Sequence, residues 1–262
     1  MPIPRAQREA LARLVSEPWT KPFRLVGGTA LAIHYGHRLS QDLDFSSTEP
    51  FDVGEMVARL SGSGAFTIKR RSEFAVVGTW EGAQVSFLYY QYPWIRDAVG
   101  AGSPPAPLAH PLDIGLMKIE AIGQRGARRD FADLYFICQR ELPLAELLKL
   151  YPAKFGEGAT PTYHLLKSLV FFEDAERQPE IPTRPRVPWK RIRSHFEEEV
   201  AALAPQGPLE AHQVPLRGGS RGPGQGPAGA RLESRTGRPS PAFHAAKSGL
   251  AGPGFYPVKE RA

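Results

Sequence analysis

The chain has 262 residues, 42% of them hydrophobic, with a single cysteine and a formal net charge of +6. That length can bury a sizeable core, in one large domain or two small ones. The lone Cys138 excludes a disulfide framework and a paired-cysteine zinc site, and no apolar run reaches the ~18 residues of a membrane span.

The charge does not imply a basic folded surface. Residues 205–262 hold eight Lys/Arg against three Glu, while the other 204 residues carry 25 basic and 24 acidic side chains, so the excess belongs to the end of the chain. The N-terminal stretch is charged and lacks the apolar centre of a secretory signal. A reducing, cytoplasmic setting is the expectation.

Ala6, Ala10, Leu11 and Leu14 recur at helical spacing. A short strand, "FRLV", then runs into Gly27-Gly28, and a helix follows over 30–35. "QDLDFSS" reads as a second strand closed by polar turn residues. A helix over 52–62 has Asp52 as its N-cap and Gly62 beyond its end. Three strands follow, "FTIKRRS", "FAVVGTW" and "AQVSFLYY", the last two joined by a tight turn at Glu81-Gly82.

After the Pro-rich link "SPPAPLAHP" the pattern turns helical, over 112–124, 128–140, 143–151, 160–172 and 189–203. The expected organisation is an α/β module over 1–104, a helical module over 105–204 and a tail over 205–262. The tail contains 11 Gly and 9 Pro, too little apolar surface to offset its ordering entropy, so it is expected to be disordered. Its arginines could serve as an RNA-binding arm, or it could simply be solvated.

The chemistry concentrates in "GGTALAIHYGHRLSQDLDF". Residues two apart on a strand share a face, so Asp42 and Asp44 project together while Leu43 and Phe45 face the other way. Two bare carboxylates side by side repel and call for a cation between them. Magnesium, with manganese as the alternative, suits all-oxygen ligation and retains sites for a substrate phosphate. Upstream, a strand–Gly-Gly–helix turn offers backbone N–H groups at a helix N-terminus, where an anion binds. Each feature alone is weak, since a D-x-D pair arises by chance and "GGT" is commonly a tight turn. Together they set a phosphate cradle beside a metal site, as phosphoryl or nucleotidyl transfer requires.

This stretch resembles the first motif of the DNA polymerase β-like nucleotidyltransferases, in particular the AbiEii-type toxins of bacterial type IV toxin–antitoxin and abortive-infection systems. "DIGLMKIEAIGQRGARRDFADLYFI", residues 113–137, is similar to the family's later motif, a Lys-bearing helix followed by R-D-x-x-D-L. The resemblance covers about residues 20–140. It implies a polymerase β-like mixed α/β sheet with flanking helices, and magnesium-dependent transfer of NMP from an NTP to a hydroxyl of RNA, a tRNA 3′ end or a protein. A cognate antitoxin is the implied partner.

By position, the resemblance makes Gly27, Gly28 and Thr29 holders of the triphosphate and Asp42 and Asp44 magnesium ligands. Lys118 would neutralise phosphate charge, and Asp130 would be the later acidic residue. Arg38 and Ser40 would be phosphate contacts or braces for the aspartates.

One position departs from the pattern. Polymerase β-like enzymes carry a third carboxylate on a later strand, and the matching residue here is Ser86, which can be neither an anionic ligand nor a good base near neutral pH. Either Asp130 takes over that role, or the fold is a catalytically degenerate module that binds nucleotide or a protein partner. Glu73 and Glu81, at hairpin ends, read as solvated charges.

Plainer readings exist for several residues. Lys118 could be an ordinary solvent-facing lysine. Asp130 and Asp133 could favour a helix dipole, and Asp133 could pair with Arg129. Arg125, Arg128 and Arg129 could grip phosphate or balance acids. His34 and His37 are poor evidence for zinc. Phe131, Leu134, Tyr135 and Cys138 follow helical spacing as core, and the aromatics of "FLYYQYPWI" read as packing between the sheet and the helical part.

Overall fold

The computed structural model describes residues 3–101, 106–157 and 159–203. The expected tail lies outside the described residues. In chain order the elements are α1 (Arg5–Ser16), β1 (Arg24–Leu25), α2 (Gly27–Tyr35), β2 (Leu43–Ser47), α3 (Val53–Ser63), β3 (Phe66–Ser72), β4 (Ala75–Trp80), β5 (Ala83–Tyr89), β6 (Val99–Ala101), β7 (Ala106–Leu108), α4 (Pro111–Arg125), α5 (Arg128–Arg140), α6 (Leu144–Phe155), α7 (Thr162–Leu169), α8 (Glu173–Glu176) and α9 (Trp189–Leu203).

The strands form one mixed sheet in the order β3-β4-β5-β2-β1-β7-β6. The β3-β4-β5 meander is antiparallel, β2 runs parallel to β5 and antiparallel to β1, and β1 runs parallel to β7. This is the mixed α/β sheet with flanking helices expected from the sequence.

Local chemistry sets the boundaries. Asp52 caps α3, its carboxylate accepting from the Glu55 N–H at 2.6 Å. The helix runs through Gly62 and stops at Gly64, two residues later than the glycine signal suggested. Pro111 sits in the first turn of α4, where its missing N–H costs nothing, and the His110 ring accepts from the Leu112 N–H. At the β4–β5 hairpin both Glu81 and Gly82 have positive φ, 48° and 80°, the twist that a two-residue hairpin turn needs.

At the start of β2 the pleat separates apolar from acidic side chains, while Phe45, Ser46 and Ser47 are all buried. Leu43 and Phe45 are 0% and 1% exposed, and Phe45 stacks on Phe87 of β5 at 4.9 Å between ring centroids. Phe23 and Trp19 meet the same Phe87 ring at 5.1 and 5.6 Å. Asp44 is thereby turned to the opposite face.

The division expected near residue 105 is corrected by the strand pairing. The middle of the Pro-rich link forms β7, whose Leu108 pairs with Leu25 of β1, and the described residues share a hydrophobic core running from Ile3 to Phe196. A three-residue strand flanked by prolines carries no alternation long enough to read from sequence. Tyr90 and Trp94 stack at 5.4 Å, and Tyr92 meets Phe155 of α6 at 4.8 Å. These aromatics join the sheet to the helices, as expected of packing residues.

Because Phe87 is fully buried among three rings, Phe87→Ala is expected to cost about 3–5 kcal/mol. Urea unfolding of the two proteins measures this as a lower midpoint with an unchanged slope.

Candidate active site

The site is built where β1, β2 and β5 meet the N-terminus of α2. The Val26 N–H donates to the Asp44 carbonyl at 2.8 Å, which aligns the start of α2 with the aspartate strand. Gly27 turns strand into helix with φ +68°, and a Cβ there would lie 3.3 Å from Asp44 Oδ2. A side chain would therefore be strained twice over, by backbone conformation and by the carboxylate.

Gly28 is needed for a different reason. A Cβ at that position would sit 2.1 Å from an Arg38 terminal nitrogen. The absent side chain admits the guanidinium.

Arg38 is 7% exposed and held as a fork: Nε donates to Asp133 Oδ1 at 2.6 Å, and a terminal nitrogen donates to Oδ2 at 2.8 Å. His37 Nε2 lies 2.8 Å from the same Oδ1. Lys118 Nζ reaches Asp133 Oδ2 and Asp130 Oδ1, both at 2.7 Å. Asp130 is also gripped by Arg125, Nε to Oδ2 at 2.8 Å. Burial alone would raise both carboxyls. Instead Lys118 and Arg125 hold Asp130 below the usual carboxylate range, and Arg38 and Lys118 hold Asp133 well below it.

Several sequence readings change here. Lys118 is 6% exposed, a buried ion-pair partner and not a solvent-facing lysine. Asp133 pairs with Arg38, His37 and Lys118 rather than with Arg129. Asp130 is enclosed by cations, so it does not stand in for the carboxylate missing at position 86. Sequence reasoning missed the centrality of Asp133; its spacing of three from Asp130 on one helix face was the available signal.

Thr29 is 1% exposed, and its hydroxyl meets the Ser40 hydroxyl at 2.8 Å and the Asp42 carbonyl. Arg38, Ser40 and Thr29 thus brace the turn that delivers the aspartates. Gly27 and Gly28 open α2, so their backbone N–H groups stand at a helix end of the kind that favours an anion.

Asp42 stands just before β2 and Asp44 within it. Among the described residues no ion pair within 4 Å neutralises either carboxylate. Ser86 lies directly across the parallel register from Asp44, and its hydroxyl donates to Oδ1 at 2.6 Å. Burial, together with the charge of Asp42, pushes the Asp44 carboxyl up, against the pull of Ser86, Lys118 and Arg129. The buried cluster of Arg38, Lys118 and Arg125 against Asp130 and Asp133 carries one surplus positive charge, and Lys118 acts electrostatically on Asp44.

Two partly buried carboxylates without a direct counter-ion are a donor set suited to a hard divalent cation. No group of three or more His, Cys, Asp or Glu is placed to hold a metal among the described residues, so other ligands would have to come from substrate and water. His34, with Nε2 3.1 Å from the Ala109 carbonyl, ties α2 to the β7–α4 junction. Glu81 pairs with Arg13 and accepts from the Ala65 N–H, a structural brace at the β4–β5 hairpin.

An acidic pair beside a glycine turn suits the chemistry of nucleotide phosphates, and the family that this chain matches makes it a nucleotidyltransferase. More narrowly, it belongs to the AbiEii family, whose sequence model, described as nucleotidyl transferase AbiEii toxin of a type IV toxin–antitoxin system, matches residues 9–212. An uncharacterized protein of Aquifex aeolicus (strain VF5) is 33% identical over 201 residues, which is 76% of this chain and 96% of that protein.

Among solved structures, MenT4, a nucleotidyltransferase toxin of Mycobacterium tuberculosis H37Rv, is 18% identical with a TM-score of 0.50, covering 74% of this chain and 81% of its own. That likeness supports the fold. JHP933 of Helicobacter pylori is 16% identical with a TM-score of 0.45, over 75% of this chain and 88% of its own. Family membership implies an NTP substrate and a cognate antitoxin. No helix among the described residues is long and apolar enough to cross a membrane.

Asp130 and Asp133 release their protons more readily folded than unfolded, so the unfolded chain binds more protons as the pH falls. The stability they contribute is present above the ordinary carboxylate range near pH 4 and is lost progressively below it. Asp133→Asn strands the buried Arg38, while Lys118 keeps Asp130, and is expected to cost about 3–5 kcal/mol at neutral pH. Urea unfolding from pH 7 down to pH 3 should show the gap between wild type and variant narrowing in acid.

Proposed function

We propose that the chain transfers NMP from an NTP to a hydroxyl of RNA, the 3′ end of tRNA included, in the cytoplasm, as the toxin of a type IV toxin–antitoxin pair. The observation that carries this reading is the Asp42–Asp44 pair, bare of counter-ions beside the α2 N-terminus. Asp42 and Asp44 would hold Mg²⁺, or Mn²⁺ in its place, whose contribution when bound is neutralisation of triphosphate charge.

The chain's own groups supply the rest. Ser86 fixes the Asp44 carboxylate through Oδ1, leaving Oδ2 beside Gly27. The N–H groups of Gly27 and Gly28 face incoming phosphate oxygens. Arg129, half-buried and acting electrostatically on Asp44, has no hydrogen bond or ion pair among the described residues and is the cation free to meet a triphosphate. Lys118 works from behind: its charge reaches Asp44 while its Nζ holds Asp130 and Asp133. The acceptor hydroxyl attacks the α-phosphorus, its proton is released, and pyrophosphate leaves.

RNA is favoured over a protein hydroxyl by the cations without an ion pair among the described residues, Arg129 and the exposed Arg186 on the segment bridged to Arg38 through Thr183. Incubation with labelled NTPs, Mg²⁺ and total RNA or total protein is expected to label RNA. Asp44→Ala should lower the rate by about 10³-fold or more with an unchanged circular dichroism spectrum. Equal transfer by wild type and variant would sink the assignment of the pair, and label in protein alone would sink the RNA acceptor.

Ser86 supplies a hydrogen bond and no charge, so Ser86→Ala is expected to lower kcat by about tenfold, the worth of one such bond. Loss as deep as that of Asp44→Ala would mean that the hydroxyl itself takes part.

A further inference from the structure

A hollow lies where residues 180–188 pass α5. It is a cavity of about 400 Å³ between α5, the start of α9 and the strap of residues 180–188, with Arg128, Thr183, Arg186 and Trp189 among its walls. The strap is fixed to the site: Thr183 forms a bridge with Arg38, and the Arg184 N–H donates to the His37 carbonyl at 2.6 Å. On the other wall, Arg128 is two residues from Asp130 along α5.

Arg128 is the informative residue. It is 8% exposed, yet its side chain has no carboxylate partner among the described residues. The guanidinium lies over the Trp189 ring at 4.7 Å, and its Nε has no hydrogen-bond partner. The Trp189 indole N–H is also buried without an acceptor.

Buried guanidinium groups are ordinarily paired, and this protein follows that rule a few residues away, where Arg38 and Arg125 each hold an aspartate. An aromatic face compensates part of the charge but accepts no directed hydrogen bond at Nε. Arg186, on the exposed rim, has no ion pair among the described residues, and Glu180 is the one acid lining the cavity. Two arginines, an indole donor and a volume fit for a small ligand point to an anion brought from outside.

We propose that this cavity is the acceptor subsite, where a phosphodiester of the RNA seats against Arg128 and Arg186 while its terminal hydroxyl extends past Arg38 to the aspartates. The inference rests on the RNA-acceptor reading above. The NTP keeps its own cradle at Gly27-Gly28, and a protein acceptor would bring no obligatory anion to the cavity.

The test uses the full chain and a fluorescein-labelled single-stranded RNA oligonucleotide with a free 3′-OH, followed by anisotropy over a salt series. Removing one phosphate contact with Arg186→Ala should weaken binding and lower the slope of log K against log salt by about 0.7. The contribution of residues 205–262 is common to both proteins and cancels in the difference. NTP–Mg²⁺ affinity, by calorimetry, should not change. Arg128→Gln, checked for folding by its thermal transition, should act in the same sense.

RNA affinity and salt slope unchanged in Arg186→Ala would overturn the subsite, whatever becomes of the acceptor assignment. A parallel loss of NTP affinity would overturn it too, marking the cavity as part of the nucleotide site. Arg186-dependent RNA binding without label transfer to RNA would uphold the phosphodiester site while refuting the acceptor reading. Wild type that binds no RNA would refute both.

Discussion

The carboxylate of Asp133 is the contact on which the site depends. It is fully buried and satisfies the fork of Arg38, the ring of His37 and the ammonium of Lys118 at once. Through Arg38 it anchors the turn between α2 and β2; through Lys118 it ties α5 to α4. Burial of ion pairs is seldom a source of net stability, because desolvation offsets the Coulombic gain. Here it imposes a position. An unpaired charge in that interior is costly, so the turn carrying Ser40 and Asp42 is held in the arrangement in which the buried Arg38 meets Asp133.

The two glycines follow from the same constraint. Gly28 gives way to the Arg38 guanidinium that Asp133 holds, and Gly27 accepts the left-handed backbone beside the Asp44 carboxylate. The N–H groups left over at the head of α2 then lie next to the acidic pair. A helix start that favours anions thus stands beside an acidic pair that favours a cation. The division of labour is clear. One acidic pair is saturated by arginine and lysine and builds the site, while the other has no such partners and is the candidate for chemistry.

Ser86 belongs to this logic. Its place opposite Asp44 in the parallel register is that of the expected third carboxylate, yet its hydroxyl braces the aspartate already there. A third carboxylate at that spot would add repulsion to Asp44, whose carboxyl burial and the charge of Asp42 already push up. The chain therefore resolves the gap by positioning, without a replacement acid.

What the amino-acid order determined by itself was local and periodic. The alternation in "DLDF", the apolar stripe of α5, the Asp52 cap and the Glu81-Gly82 hairpin were legible because each depends on neighbours a few positions away. So were the acidic pair, the glycine turn and the family they resemble. Tertiary structure decided which charges meet. Asp133 and Arg38 are 95 positions apart, and nothing in either neighbourhood marks one as the partner of the other. The short strand β7 and the strap at 180–188 were equally unreadable, since three paired residues or a single bridge leave no period in a sequence. Charge pairing in a buried site is a matter of distance and desolvation, and both exist only once the chain has folded.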